Sequence, residues 1–149
     1  MKKFKFRLQK LLDMREAKET EIKHELMKVL NVQNQERIFQ DELKSRINQY
    51  ETKYGEKIKK GTLSAEEMMS FMRYNDVSRK AIIESQKRVE KIEPEVRRIR
   101  EKLVIASREK KIVEKLKERK LQEFNYEFNR EQFKENDDMN QKIYQRKLM

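Results

Sequence analysis

Apolar residues recur along this chain in steps of three, four and seven. From Ile22 the series runs through Leu26, Val29, Val32, Phe39, Leu43, Ile47, Tyr50 and Tyr54 to Ile58, and Phe4, Leu8, Leu11 and Leu12 continue it upstream. Such steps put side chains on one face of an α-helix. A second series is stricter. Written as paired core positions, it reads Ile82/Ser85, Val89/Ile92, Val96/Ile99, Leu103/Ala106 and Lys110/Val113. A sustained seven-residue spacing implies a left-handed coiled coil. Each well-buried Val, Ile or Leu on the seam contributes roughly 1.5–3 kcal/mol. Lys110 weakens the seam and is placed to hold its register.

One strong break separates the two series. Gly61 suits the left-handed residue after a helix end. Ser64 and Glu67 match a capping box for the next helix. The pattern predicts helix one over about 4–59, a turn at about 60–63 and helix two over about 64–145, with Gly55 able to end helix one a turn early. Pro94 falls on an outward position of the second series. The heptad phase is unchanged across it, so a kink is expected rather than a break. The expected fold is all-α: a long antiparallel two-helix coiled-coil hairpin, forming a single domain over 1–149. Folded at the turn, residues whose numbers sum to about 124 face each other. At 1.5 Å per residue the helices are about 85 and about 120 Å long, so they do not match. Residues from about 124 onward are expected to form a C-terminal helical overhang. Phe124, Phe128 and Phe133 lie there on two faces, which suggests a partner or a second copy of the chain, a homodimer through the overhang. A frayed terminus with incidental aromatics is the plainer alternative.

Composition agrees with long helix. Of 149 residues, 44% are charged and 36% hydrophobic, with Gly 2, Pro 1 and Cys 0. Three Gly and Pro residues cannot supply the turns of a β-sandwich or an α/β enzyme. No disulfide or Cys-based zinc site can form. His24 stands alone on a polar stretch, no Gly-rich phosphate loop exists, and a pair of helices offers no cleft to desolvate two carboxylates. No catalytic residue, metal site or cofactor is expected. No apolar run is long enough to cross a membrane, and Arg7, Lys10 and Asp13 interrupt any secretory signal after Met1.

Charge refines the picture. The net charge is +11. Residues 97–120 hold eleven bases against four acids, and residues 121–138 hold six acids against two bases. In basic-zipper proteins the basic segment lies outside the zipper, whereas here it shares the heptads. Specific nucleic-acid binding is therefore not expected. Near the turn, Met68, Met69, Phe71, Met72 and Tyr74 form an apolar cluster; Met68, Phe71 and Met72 fit one buried face, and Met69 and Tyr74 point elsewhere. Methionine-rich surface suits a partner contact, and core packing is the plainer reading.

Two stretches resemble a known family. The chain opens Phe4-Lys5-Phe6-Arg7-Leu8-Gln9-Lys10-Leu11-Leu12-Asp13-Met14-Arg15-Glu16. A later stretch reads Lys111-Ile112-Val113-Glu114-Lys115-Leu116-Lys117-Glu118-Arg119-Lys120, followed by Glu123, Phe124 and Glu127. Both are similar to the flagellar export protein family FliJ. The resemblance implies a non-enzymatic component of the flagellar type III export apparatus, similar to the γ stalk of rotary ATPases. Its implied partners are the export ATPase ring, the cytoplasmic domain of the export gate and export chaperones. Its implied place is the cytoplasmic side of the cell membrane. Carried onto this chain, Arg7, Lys10, Arg15, Lys115, Lys117, Arg119 and Lys120 would face the ATPase, and Met69, Phe71, Met72 and Tyr74 the gate or chaperones. A stalk protein of a virulence secretion system and a generic basic coiled-coil scaffold are the competing readings.

Overall fold

The computed structural model describes residues 2–148. Two helices make up most of them: α1, Gln9–Lys60, and α2, Ala65–Leu148. They pack against each other as a helical hairpin. Arg15 meets Glu109, Glu36 meets Arg88, and Tyr50 meets Tyr74, each pair summing to 124. Contacts divide the chain into two compact units. A terminal unit combines Met1–Thr20 with Val104–Met149, and a hairpin unit spans Glu21–Leu103.

The turn in the hairpin unit is built by its backbone. Gly61 has φ 67° and closes α1. Its N–H donates to the Ile58 carbonyl at 3.1 Å, and the Thr62 N–H reaches back to Lys57 at 3.0 Å. These two bonds are a Schellman closure, which needs a left-handed residue and therefore favours glycine. Ser64 then caps α2, its Oγ accepting from the Glu67 N–H at 3.1 Å. Glu67 does not complete the box with its own side chain. Its carboxylate takes the Lys57 ammonium instead, at 3.1 Å across the turn. Gly55 lies inside α1 and does not end it.

The stricter series of α2 is the buried one. Ser85, Val89, Val96, Ile99, Ala106 and Val113 are buried, and Ile82, Ile92, Leu103 and Lys110 are half-buried. Pro94 is exposed, and α2 runs through it as one helix. The proline lacks an N–H, and its outward position keeps that defect away from the seam.

The seam of α1 differs from the apolar series read along it. Its buried side steps by seven through Leu12, Glu19, Leu26, Gln33, Gln40, Ile47 and Tyr54. A second row lies three residues on: Arg15, Ile22, Val29, Glu36, Leu43, Tyr50 and Lys57. Every member of both rows is buried or half-buried except Tyr50, whose ring still packs on Tyr74. Val32, Phe39 and Ile58, expected on this face, are exposed. Val32 and Phe39 sit one residue before Gln33 and Gln40, about 100° round the helix. The glutamines are tolerated inside because each meets a polar partner on α2. Among the described residues, no buried side-chain nitrogen or oxygen lacks a hydrogen-bond partner.

The start of α1 is also later than the expected position near residue 4. Residues 2–6 are not helical. The backbone turns at Phe6, whose carbonyl accepts from the Gln9 N–H at 3.2 Å. Leaving the helix lets Phe4 reach Phe124, with ring centroids 5.6 Å apart. Lys2 reaches Glu131 at 3.7 Å. Phe124 thus has a partner on the N-terminal segment, which the expected overhang from about 124 did not give it, and half-buried Phe128 stacks on Phe124 of its own helix at 6.3 Å. Residues 129–148 are exposed throughout.

Candidate functional site

The seven bases expected to face a partner all belong to the terminal unit, and they do different work there. Arg15 is half-buried and donates through a guanidinium nitrogen to the Glu109 carbonyl at 2.7 Å. It ties α1 to α2. Lys117 continues the core positions of α2 and is half-buried. Lys120 pairs with Glu123 at 3.3 Å. Arg7, Lys10, Lys115 and Arg119 are exposed and form no ion pair with a described residue. They are the bases still available to an acidic surface.

Beside them lies a groove of about 660 Å³. Its apolar lining is Phe4, Phe6, Leu8, Leu116 and Phe124, and its charged lining is Lys3, Lys5, Arg7 and Lys120 with Glu123 and Glu127. The extended residues 2–6 create it by lying along α2 rather than continuing α1. The apolar lining suits an apolar anchor, and the cations on the side of the N-terminal segment, Lys3, Lys5 and Arg7, suit a carboxylate beside it.

Two polar rungs cross the seam, one in each unit. In the terminal unit Glu19 is only 4% exposed. Ser107 Oγ donates to its Oε2 at 3.3 Å, and Lys110 Nζ lies 3.1 Å from the same oxygen. The hydrogen bond to Glu19 raises the Lys110 ammonium above its ordinary pKa, against a desolvation that pulls it down. In the hairpin unit Ser85, fully buried, donates to Glu36 Oε2 at 2.7 Å. Arg88 grips both oxygens of Glu36, at 2.9 and 3.2 Å. Gln40 donates to Ser85 at 3.0 Å and completes the layer. The Arg88 hydrogen bond, then that of Ser85, hold the Glu36 carboxyl below its ordinary pKa, against desolvation. A third layer pairs the Gln33 amide with Glu93 at 2.7 Å. Residue-by-residue reading missed these layers. The signal was present: serine three residues before a cation, at Ser85/Arg88 and at Ser107/Lys110.

Near the turn the expected apolar cluster divides. Phe71 packs on Tyr54 with centroids 5.0 Å apart, and Tyr74 meets Tyr50 edge-on at 4.8 Å. Lys57 sits 5.7 Å above the Tyr54 ring. Phe71 and Tyr74 are thus committed to joining the two helices. Met68, Met69 and Met72 are exposed. Met68 and Met72 stay outside because aromatic rings fill the buried face.

Within the described residues, no group of three or more His, Cys, Asp or Glu is placed to hold a metal ion, and no helix is long and apolar enough to cross a membrane. Fold and surface define a helical hairpin with a basic terminal unit. The family model described as flagellar FliJ protein matches residues 4–149, and the chain belongs to that family. Membership implies a non-enzymatic component of the flagellar protein export apparatus. No curated protein and no solved structure matched the chain.

Proposed function

We propose that this chain is the stalk-like coupling component of the flagellar export apparatus, its terminal unit binding the export ATPase ring. The observation that carries this reading is that Arg7, Lys10, Lys115 and Arg119, exposed and without an ion pair to any described residue, belong to one compact unit of a FliJ-family hairpin. Unpaired surface cations raise the rate of encounter with an acidic surface and orient it. The groove beside them would then take an apolar anchor from the ring. The exposed methionines Met69 and Met72 are the residues offered to the export gate or to chaperones, since an adaptable thioether surface accepts more than one partner. In this reading the protein works on the cytoplasmic side of the membrane.

Charge reversal tests the assignment. The pair Lys115→Glu and Arg119→Glu should weaken retention of the cognate ATPase at least tenfold, about 1.4 kcal/mol. The pair Lys59→Glu and Lys60→Glu, at the turn, should leave it unchanged. Equal losses from both pairs would remove the assignment. Failure of the wild-type chain to retain the ATPase at low salt would remove the function.

A further inference from the structure

α2 carries a second seven-residue series, on the side away from its seam. Ile105, Ile112, Tyr126 and Phe133 stand one heptad apart, with Arg119 in the middle place. The four apolar side chains are 56, 65, 69 and 72% exposed. All belong to the terminal unit, and none is a residue of the buried seam. Exposed apolar residues scattered singly need no explanation. A row of them one heptad apart stays on one side of a left-handed wrapping helix and offers it one apolar contact per heptad, half of what a full coiled-coil seam carries.

Charge identifies that helix. Residues 104–120 hold seven bases and three acids, and residues 121–138 hold two bases and six acids. The balances are +4 and −4, on either side of the same short stretch. A second copy laid parallel and in register would set like charge on like. Laid antiparallel about Arg119, it sets each basic half against an acidic half. In that register Ile105 lies level with Phe133 of the other copy, and Ile112 with Tyr126. Lys111 and Lys115 lie level with Glu127 and Glu123. Apolar rungs and charge halves thus share one two-fold centre.

We infer that the outer face of α2 over residues 105–133 is a self-association surface, on which a second copy of this chain packs antiparallel. Arg119 is the flaw at its centre. The two-fold axis brings it against its own copy, so the contact is weak, reversible and regulated by whatever neutralises this arginine. The same residue is one of the exposed bases assigned to the acidic partner. Self-association and partner binding therefore compete for it.

The chain has no cysteine, which makes the register directly testable. Arg119→Cys should form a disulfide-linked dimer under mild oxidation. Ile112→Cys alone should not, because the two copies of residue 112 lie about 20 Å apart in this register. The double variant Ile112→Cys with Tyr126→Cys should link. By light scattering on the full chain, Arg119→Leu should tighten dimerisation at least about tenfold, since juxtaposed like charges are costly. Tyr126→Glu should abolish it. Circular dichroism checks that each variant keeps its helix content, which these exposed positions do not threaten. Linkage of Ile112→Cys to itself would mean parallel pairing and would overturn the inference. So would an Arg119→Leu chain that stays monomeric at high concentration, which would leave the stripe to a different partner or to solvent.

Discussion

The Glu19 and Glu36 rungs use one design in two environments. In each, a carboxylate on α1 accepts from a serine on α2 and from a cation three residues further on. In the hairpin unit the cation is Arg88, half exposed, with a guanidinium that engages both carboxylate oxygens. In the terminal unit it is Lys110, which sits on the heptad seam itself and is shared with Glu114 at 3.6 Å. A planar fork can reach in from the rim and still satisfy both oxygens, whereas an ammonium must come close as a point charge. The rung with the rim arginine leaves the seam to serine and glutamine. The rung with lysine places a charge in the core line, held mainly by Glu19 and secondarily by Glu114.

The largest expected effect tests whether such rungs or the apolar layers hold the hairpin. Ile99→Ala removes a fully buried side chain and should cost about 2–5 kcal/mol by denaturant unfolding. A smaller cost than either rung substitution would reverse that ranking. Next, Glu19→Ala should lower the melting temperature more than Glu36→Ala. It leaves half-buried Lys110 on the seam with only the longer contact to Glu114, whereas Arg88 at the rim turns to water. Equal losses would dissolve the distinction between the rungs.

The third test uses pH. Lys110 has a raised folded-state pKa, so its contribution is complete below the ordinary lysine pKa and is lost as pH rises through the folded value. Melting followed into alkali should therefore fall less steeply in Lys110→Met than in the wild type. Arg88 is also raised, but arginine stays charged through that range, so Arg88→Met should leave the alkaline slope unchanged. Glu36 has a lowered pKa. Its contribution is present above the ordinary glutamate value and is lost as pH falls through the folded one, so Glu36→Gln should flatten the acid limb. The smallest effects concern the two glycines. Gly55→Ala meets nothing within 4 Å and should add about 0.5–1 kcal/mol of stability, whereas Gly61→Ala should lose about 1–2 kcal/mol at its positive φ.

Much of this was legible because helix period and turn chemistry are local. The strict series Ile82 to Val113 marked the buried side of α2, and Gly61 with Ser64 marked the turn. The face of α1 was harder. Val32 and Phe39 are apolar and fit a helical step, yet the packed face takes Gln33 and Gln40. Hydrophobicity ranks residues one at a time, whereas burial of a polar side chain depends on a partner from the other helix. The candidate site shows the same split. Seven bases were nameable as a cluster, but the division between Arg15, engaged with Glu109, and Arg119, exposed, follows from which side of each helix met its neighbour.

The sequence by itself determined two long helices, the turn between them, the pairing near 124 and the separation of charge along α2. These follow from periodicity, a left-handed glycine and counting, which need no knowledge of distant contacts. Only the tertiary structure decided which polar residues enter the seam, that Phe4 leaves the helix to meet Phe124, and that Ile105, Ile112, Tyr126 and Phe133 face outward. Each of those depends on a partner far away in the chain. The free energy of burying or exposing a group is set by that partner and not by the group alone.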